Sequence, residues 1–261
     1  MFDQRSSTTA LSARALVKRF GGVCAVDGVS LDVPSGRIFG LIGPNGAGKS
    51  TLFDLLAGEQ RPTSGAVALS GVAVEDEGAH RRLARGLGRT FQVPRPFAGM
   101  TLIENVMLGA QGQSGERILP NWLQPGRVRR QESEARDRAM ELLRFVQLEA
   151  QALSPARVLS GGQRKLLELA RALMAAPSLL LLDEPAAGVN PSLLAVIVER
   201  IAEVNARGVA VLVIEHNMDV IATLCEHVFV MAAGKLLCEG TPGAVVRDPR
   251  VIEAYLGGAP A

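Results

Sequence analysis

The sequence predicts an α/β fold with a parallel core sheet, an antiparallel β part near the amino end and a helical part in the middle third. Three observations carry this. From Leu159 onward, apolar strand-length runs alternate with helical segments. A strand, a glycine-rich turn and a helix follow one another over residues 37–56. Short apolar stretches separated by turn residues fill Leu11–Val33. Apolar strands between helices mark a parallel sheet covered on both faces.

In chain order, Phe20-Gly21-Gly22, Asp27-Gly28 and Pro34-Ser35-Gly36 punctuate the opening stretch, as expected of a small antiparallel sheet. Arg37–Ile42 reads as a strand and Ser50–Leu56 as a helix. Gly65–Val74 reads as a hairpin, with an arginine-bearing helix around His80–Arg85 after it. Gly109–Arg127, rich in Gly, Gln, Pro and Ser, reads as a loop or lightly structured insertion. Gln131–Val146 places Ala135, Ala139, Leu142, Leu143 and Val146 at helical spacing. Glu132 with Arg136 and Glu134 with Arg138 stand four residues apart, so its charges form a solvated face rather than a nucleic-acid surface. The last third reads helix (Arg164–Met174), strand (Leu179–Leu182), helix (Pro191–Ala206), strand (Val209–Ile214). In the second of these helices Leu194, Ile197, Val198, Ile201 and Val204 share one face, Asn190 is placed to cap the start, and Gly208 to end it. Long internal repeats and low-complexity segments are absent.

Composition bounds the function. The chain has 261 residues, 48% hydrophobic and 21% charged, long enough for a substantial core. Its 28 basic and 26 acidic side chains nearly cancel, giving net charge +2 and no field to hold a polyanion, so nucleic acid is not expected as a partner. No apolar run approaches the roughly 20 residues of a bilayer span. Met1–Ala10 lacks a cationic region followed by an apolar stretch, so a cytoplasmic chain is expected. Cys24, Cys225 and Cys238 are too few and scattered for a disulfide framework or zinc site, and read as small core hydrophobes. His80 and His227 fit no motif.

The chemistry concentrates in three motifs. Gly43-Pro44-Asn45-Gly46-Ala47-Gly48-Lys49-Ser50 has the phosphate-loop spacing, with a strand before it and a helix after it. Its glycines let backbone N–H groups turn inward around phosphates, and the following helix adds its positive amino end. Lys49 can reach the β and γ phosphates and Ser50 can offer a hydroxyl to Mg²⁺, with Thr51 next in the helix. An accidental match arises in about one such chain in a hundred. Leu179-Leu180-Leu181-Leu182-Asp183-Glu184 is a buried strand ending in two acids. There Asp183 fits a Mg²⁺-holding carboxylate and Glu184 a group that accepts a proton from the attacking water. Leu159-Ser160-Gly161-Gly162-Gln163 opens the helix before that strand; alone, it is a flexible helix start.

Together and in this order, the motifs resemble the ATP-binding subunits of ABC transporters over about Leu11–Leu256. The resemblance implies a P-loop NTPase fold, a RecA-like parallel core sheet with an antiparallel β subdomain and an α-helical subdomain, in a single domain over 1–261. The core and its β part would occupy 11–91 and 166–256, and the helical subdomain 92–165 with an insertion at 109–130. It further implies that Phe20 stacks on adenine, that Gln92 ligates Mg²⁺ or the attacking water, and that His216 contacts the γ-phosphate and supports Glu184. Two such subunits would pair head to tail, so that Ser160 and Gly162 of one contact the γ-phosphate held by Lys49 of the other.

Within the family, Gly88-Arg89-Thr90-Phe91-Gln92, Phe97 and Met100-Thr101-Leu102-Ile103-Glu104-Asn105 resemble the branch that takes up branched-chain and other hydrophobic amino acids. Ile214-Glu215-His216-Asn217-Met218 and Val251-Ile252-Glu253-Ala254-Tyr255-Leu256-Gly257 do so too. In Ala186-Ala187-Gly188-Val189-Asn190-Pro191, Asn190 stands where many relatives carry aspartate. The insertion, with the single Trp122, is similar to one of the two ATPase subunits of that system. The resemblance implies permease subunits in the membrane, a second ATP-binding subunit, an external solute-binding protein acting indirectly, and a position on the inner face of the cell membrane. A lipopolysaccharide-type export ATPase and a non-transport ABC ATPase remain alternatives at this point.

Overall fold

The computed structural model describes residues 9–90, 94–112 and 125–256. The sequence expectations on Phe91, Gln92, Trp122 and Gly257 lie outside the described residues. By its internal contacts the chain divides into a unit of Met1–Arg89, Ser178–Ala187 and Ile201–Ala261 and a second of Thr90–Pro177 and Gly188–Arg200.

In the first unit, β1 (Thr9–Phe20) and β2 (Val23–Pro34) pair antiparallel across the Gly21-Gly22 turn. Asp27-Gly28, expected as a turn, lies inside β2. Gly28 takes φ 71° and the register steps there, because the Asp27 N–H is spent on the Gly234 carbonyl at 2.8 Å instead of on the ladder. The expected hairpin forms as β4 (Ser64–Leu69) and β5 (Val72–Ala73), joined by Ser70-Gly71 with both φ positive. It completes a four-stranded sheet, β2-β1-β4-β5.

The second sheet of this unit has six strands in the order β10-β9-β3-β8-β7-β6. Here β3 is Ile38–Ile42, β6 Leu87–Arg89, β7 Leu179–Asp183, β8 Ala210–Ile214, β9 His227–Ala232 and β10 Lys235–Gly240. All neighbours pair in parallel except β9 and β10. Every residue of β7 and β8 is buried, as their unbroken apolar runs require. Leu41 and Asp183 both pair with Ile214, so the carboxyl ends of β3, β7 and β8 are level. Ligands of parallel sheets bind at such an edge.

Helix α1 (Lys49–Ala57) follows the glycine-rich turn, and α2 (Ala79–Ala84) carries Arg82. This guanidinium is fully buried and donates to the carbonyls of Leu55 (2.7 Å), Leu56 (2.8 Å), Val74 (2.7 Å) and Glu77 (3.0 Å). Two of these acceptors are carbonyls of the last turn of α1, where a cation also meets the negative pole of the helix.

In the second unit α3 (Leu102–Met107) starts at a Thr101–Glu104 capping box, and α4 runs from Pro125 to Phe145. The loop expected through Arg127 therefore ends earlier. Proline suits a first helical turn, and Arg130 pairs with Glu134 one turn on at 3.0 Å. Helix α5 (Gly161–Met174) packs against α3 and α4 and buries Leu166, Leu167 and Ala170. This keeps the chain in the helical unit as far as Pro177, where a return to the core was expected at residue 166. Helix α6 (Pro191–Ala206) has the expected ends: the Leu193 N–H donates to Asn190 Oδ1 at 2.9 Å, and the Gly208 N–H to the Asn205 carbonyl at 2.8 Å. The three cysteines are free thiols; burial pushes that of Cys225 up to about 12. Among the described residues no helix is long and apolar enough to cross a membrane.

Replacing Arg82 by alanine strands buried carbonyls and should lower unfolding stability by about 3 kcal/mol, read by urea denaturation. Arg82→Lys should recover only part, because an ammonium lacks the guanidinium's fork of donors.

Candidate functional site

Three chain segments leave the level edge of the six-stranded sheet. The glycine-rich turn follows β3, Asp183-Glu184 ends β7, and Glu215-His216 follows β8. The turn can take its path only with glycine at its tightest points. At Gly43 (φ 151°) a Cβ would lie 2.1 Å from the Met231 carbonyl, and at Gly48 (φ 94°) 2.3 Å from that of Ala25. Gly48 is also the N-cap of α1, and no side chain caps that helix start.

Lys49 is buried, and its ammonium donates to the carbonyls of Gly43 (2.7 Å) and Pro44 (2.9 Å). Burial holds its pKa below the ordinary lysine value, while the charges of Glu184 and Asp183 pull the other way. Ser50, next in the helix, is exposed. Asp183 is 6% exposed, and Arg89 Nη2 stands 3.8 Å from its Oδ2 and 2.7 Å from Asp54 Oδ1. In the sequence Arg89 stands only within a family-like stretch and Asp54 within no motif. Two strands and a helix far apart in sequence, β6, β7 and α1, bring the three side chains together.

Glu184 has φ +47°, a left-handed conformation costing a non-glycine residue about 1–2 kcal/mol. Its N–H donates to the Ile214 carbonyl at 2.9 Å, and its Oε1 lies 2.5 Å from His216 Nε2. Facing a carboxylate, that nitrogen carries the hydrogen. Glu215 beside it is 2% exposed and accepts the Ala186 N–H at 2.6 Å.

Of the sequence-predicted residues, Lys49, Asp183, Glu184 and His216 thus meet at one edge of the first unit. Phe20 ends β1 in the same unit and is 47% exposed, with Lys18 Nζ 5.1 Å from its ring centroid. Ser160-Gly161-Gly162-Gln163 belongs to the second unit. There Ser160 and Gln163 form a reciprocal capping box, with Gln163 N–H to Ser160 Oγ at 3.3 Å and Ser160 N–H to Gln163 Oε1 at 3.0 Å. A Cβ on Gly162 would come within 2.9 Å of Leu193 Cδ1, whereas Gly161 has room around it. The two glycines therefore serve different ends: Gly162 lets the helix start pack close, and Gly161 leaves the backbone open.

Residues 26–187 match the ABC transporter family, and residues 235–261 the branched-chain amino acid ATP-binding cassette transporter family. The chain is 39% identical over 247 residues to the probable branched-chain amino acid transport ATP-binding protein of Archaeoglobus fulgidus, covering 95% of each. It is 39% identical over 253 residues to the high-affinity branched-chain amino acid transport ATP-binding protein of Pseudomonas aeruginosa, covering 95% of this chain and 98% of that protein. Among solved structures it is similar to a nucleotide-free ATP-binding cassette from an ABC transporter, with TM-score 0.83 and 34% identity over 95% of this chain and 98% of that one. By the geometry at the sheet edge and by likeness along nearly its whole length, the chain belongs to the ABC transporter family, in the group of branched-chain amino acid transport ATP-binding proteins.

Proposed function

We propose that this chain hydrolyses ATP to energise import of branched-chain amino acids. The observation that carries the hydrolytic reading is a glutamate turned by left-handed backbone onto a histidine 2.5 Å away, within the electrostatic reach of a buried phosphate-loop lysine. The solute class rests on the likeness of the carboxyl-terminal residues and of the whole-length relatives.

The amides of Gly43, Asn45, Gly46, Ala47 and Gly48, with the start of α1, supply donors for the phosphates, the Ala47 N–H exchanging the Pro44 carbonyl for one of them. Lys49 exchanges the carbonyls of Gly43 and Pro44 for phosphate oxygens, a stronger, charge-assisted contact. Ser50 and Asp183 are oxygen donors of the kind Mg²⁺ takes, one exposed hydroxyl and one carboxylate, with Thr51 beside them and Gln92 as a further amide oxygen. When bound, Mg²⁺ neutralises charge on the phosphates. Glu184 accepts the proton of the attacking water as the γ-phosphorus gains the water oxygen and loses the bridging oxygen to ADP. His216 holds the Glu184 carboxylate in place and faces the γ-phosphate. Phe20 offers its exposed ring to adenine.

Ser160, Gly161, Gly162 and Gln163 complete the site of a second ATP-binding subunit, lending it an open helix start. Paired subunits engage permeases in the membrane from its inner face as peripheral proteins, and an external solute-binding protein only indirectly. Nucleic acid has no part in this reading.

Glu184→Gln should keep MgATP affinity and lose at least about 100-fold in turnover; a variant hydrolysing at the parent rate removes Glu184 from its role. Lys49→Ala should weaken nucleotide binding itself by about tenfold or more, measured with a fluorescent ATP analogue. Expressed with its neighbouring genes, the tagged chain should copurify with integral membrane permeases and support uptake of labelled leucine. Recovery with ribosomes or DNA instead overturns the transport reading.

A further inference from the structure

The catalytic assignment leaves unused a buried carboxylate next to His216. Glu215 is 2% exposed, lies one residue before His216, and is met by three backbone amides. Its Oε1 accepts the Ala186 N–H at 2.6 Å, and its Oε2 accepts those of His216 (3.1 Å) and Asn217 (3.4 Å). The last two bonds are local, fixing the turn that presents the imidazole. The first crosses to the segment that carries Glu184, two residues beyond the left-handed backbone.

A strained residue keeps its conformation only where its surroundings over-determine it. Glu184 is fixed before its side chain by its own N–H on the Ile214 carbonyl. After its side chain, the chain is fixed by the Ala186 N–H on Glu215. Both acceptors belong to the same two residues of the β8 end, Ile214 and Glu215, with His216 next in sequence. The distance between Glu184 Oε1 and His216 Nε2 is therefore set by one short stretch of chain acting on both partners.

We infer that Glu215 is the positioning residue of this ATPase: its carboxylate clamps the Ala186 amide and the His216 turn together, holding Glu184 in the left-handed conformation that aims it at His216. The inference rests on the proposed role of Glu184 and adds a residue that acts through it without touching nucleotide.

The test uses the full chain with MgATP, reading turnover, nucleotide affinity and melting temperature together. Glu215→Ala should lower kcat about 10- to 100-fold while MgATP affinity stays within about twofold of the parent. Glu215→Gln, which keeps an oxygen for the Ala186 N–H, should recover part of that loss. Combined with Glu184→Gln, Glu215→Ala should cost nothing further, because the group it positions is already disabled. If Glu215→Ala does not fold, Glu215→Asp carries the same test, with the charge kept but the side chain one carbon too short to reach Ala186. A nucleotide-binding Glu215→Ala or Glu215→Asp variant with the parent kcat overturns the inference, as do losses that multiply in the double variant. Glu184→Gln hydrolysing normally would instead sink the catalytic reading beneath it. An inactive Glu184→Gln beside a fully active Glu215→Ala would sink the positioning role alone.

Discussion

One buried cation organises this molecule. Lys49 has its ammonium inside the protein, where an unpaired charge costs several kcal/mol, and the chain meets that charge with two loop carbonyls and the fields of two acids. The carbonyls are available because Gly43 and Gly48 let the backbone fold back where any Cβ would collide with the chain opposite. The acids are near because the parallel register sets the ends of β3, β7 and β8 level. Neutral carbonyls satisfy an ammonium less well than an anion does, so a phosphate oxygen offers Lys49 the stronger contact.

Electrostatics at the sheet edge has a second layer. Asp183 lies between cations, Lys49 in the loop and Arg89 at the end of β6, and Arg89 also holds Asp54 on α1. Strand, helix and neighbouring strand are thereby tied through one guanidinium. The guanidinium and the ammonium thus favour negative charge at this strand end. Glu184, one residue on, has a different setting, with a strained backbone and an imidazole partner. Adjacent acids at one strand end thus stand in different surroundings, although their chemistry is the same.

Much of this was legible in the sequence because it depends on local pattern. The unbroken apolar run Leu179–Leu182 reads as a buried strand and the Gly43–Ser50 spacing as a turn into a helix, which sets Lys49 at a helix start and Asp183 and Glu184 at a strand end. Asn190 and Gly208 likewise mark the ends of α6 by chemistry that needs no tertiary partner. What stayed illegible depends on pairing across the fold. Asp27-Gly28 has the composition of a turn, yet the Gly234 carbonyl holds it in a strand as a bulge. Arg89 and Glu215 looked like ordinary members of their motifs, since the groups that give them a role, Asp54 and the Ala186 amide, are distant in sequence. The helical unit reaches Pro177 because α5 finds its packing partners in α3 and α4, which no periodicity within α5 could announce.

Arg82 stands at the other end of α1 from Lys49. Gly58 leaves the space it fills: a Cβ there would lie 2.7 Å from the Arg82 Nε. With a permanent cation against its last carbonyls, α1 is an oriented dipole whose negative pole is already answered within the protein. The positive pole is the end left for a ligand. The nine-residue helix that begins at Lys49 is thus anchored in its last turn, by a side chain remote from the reacting groups.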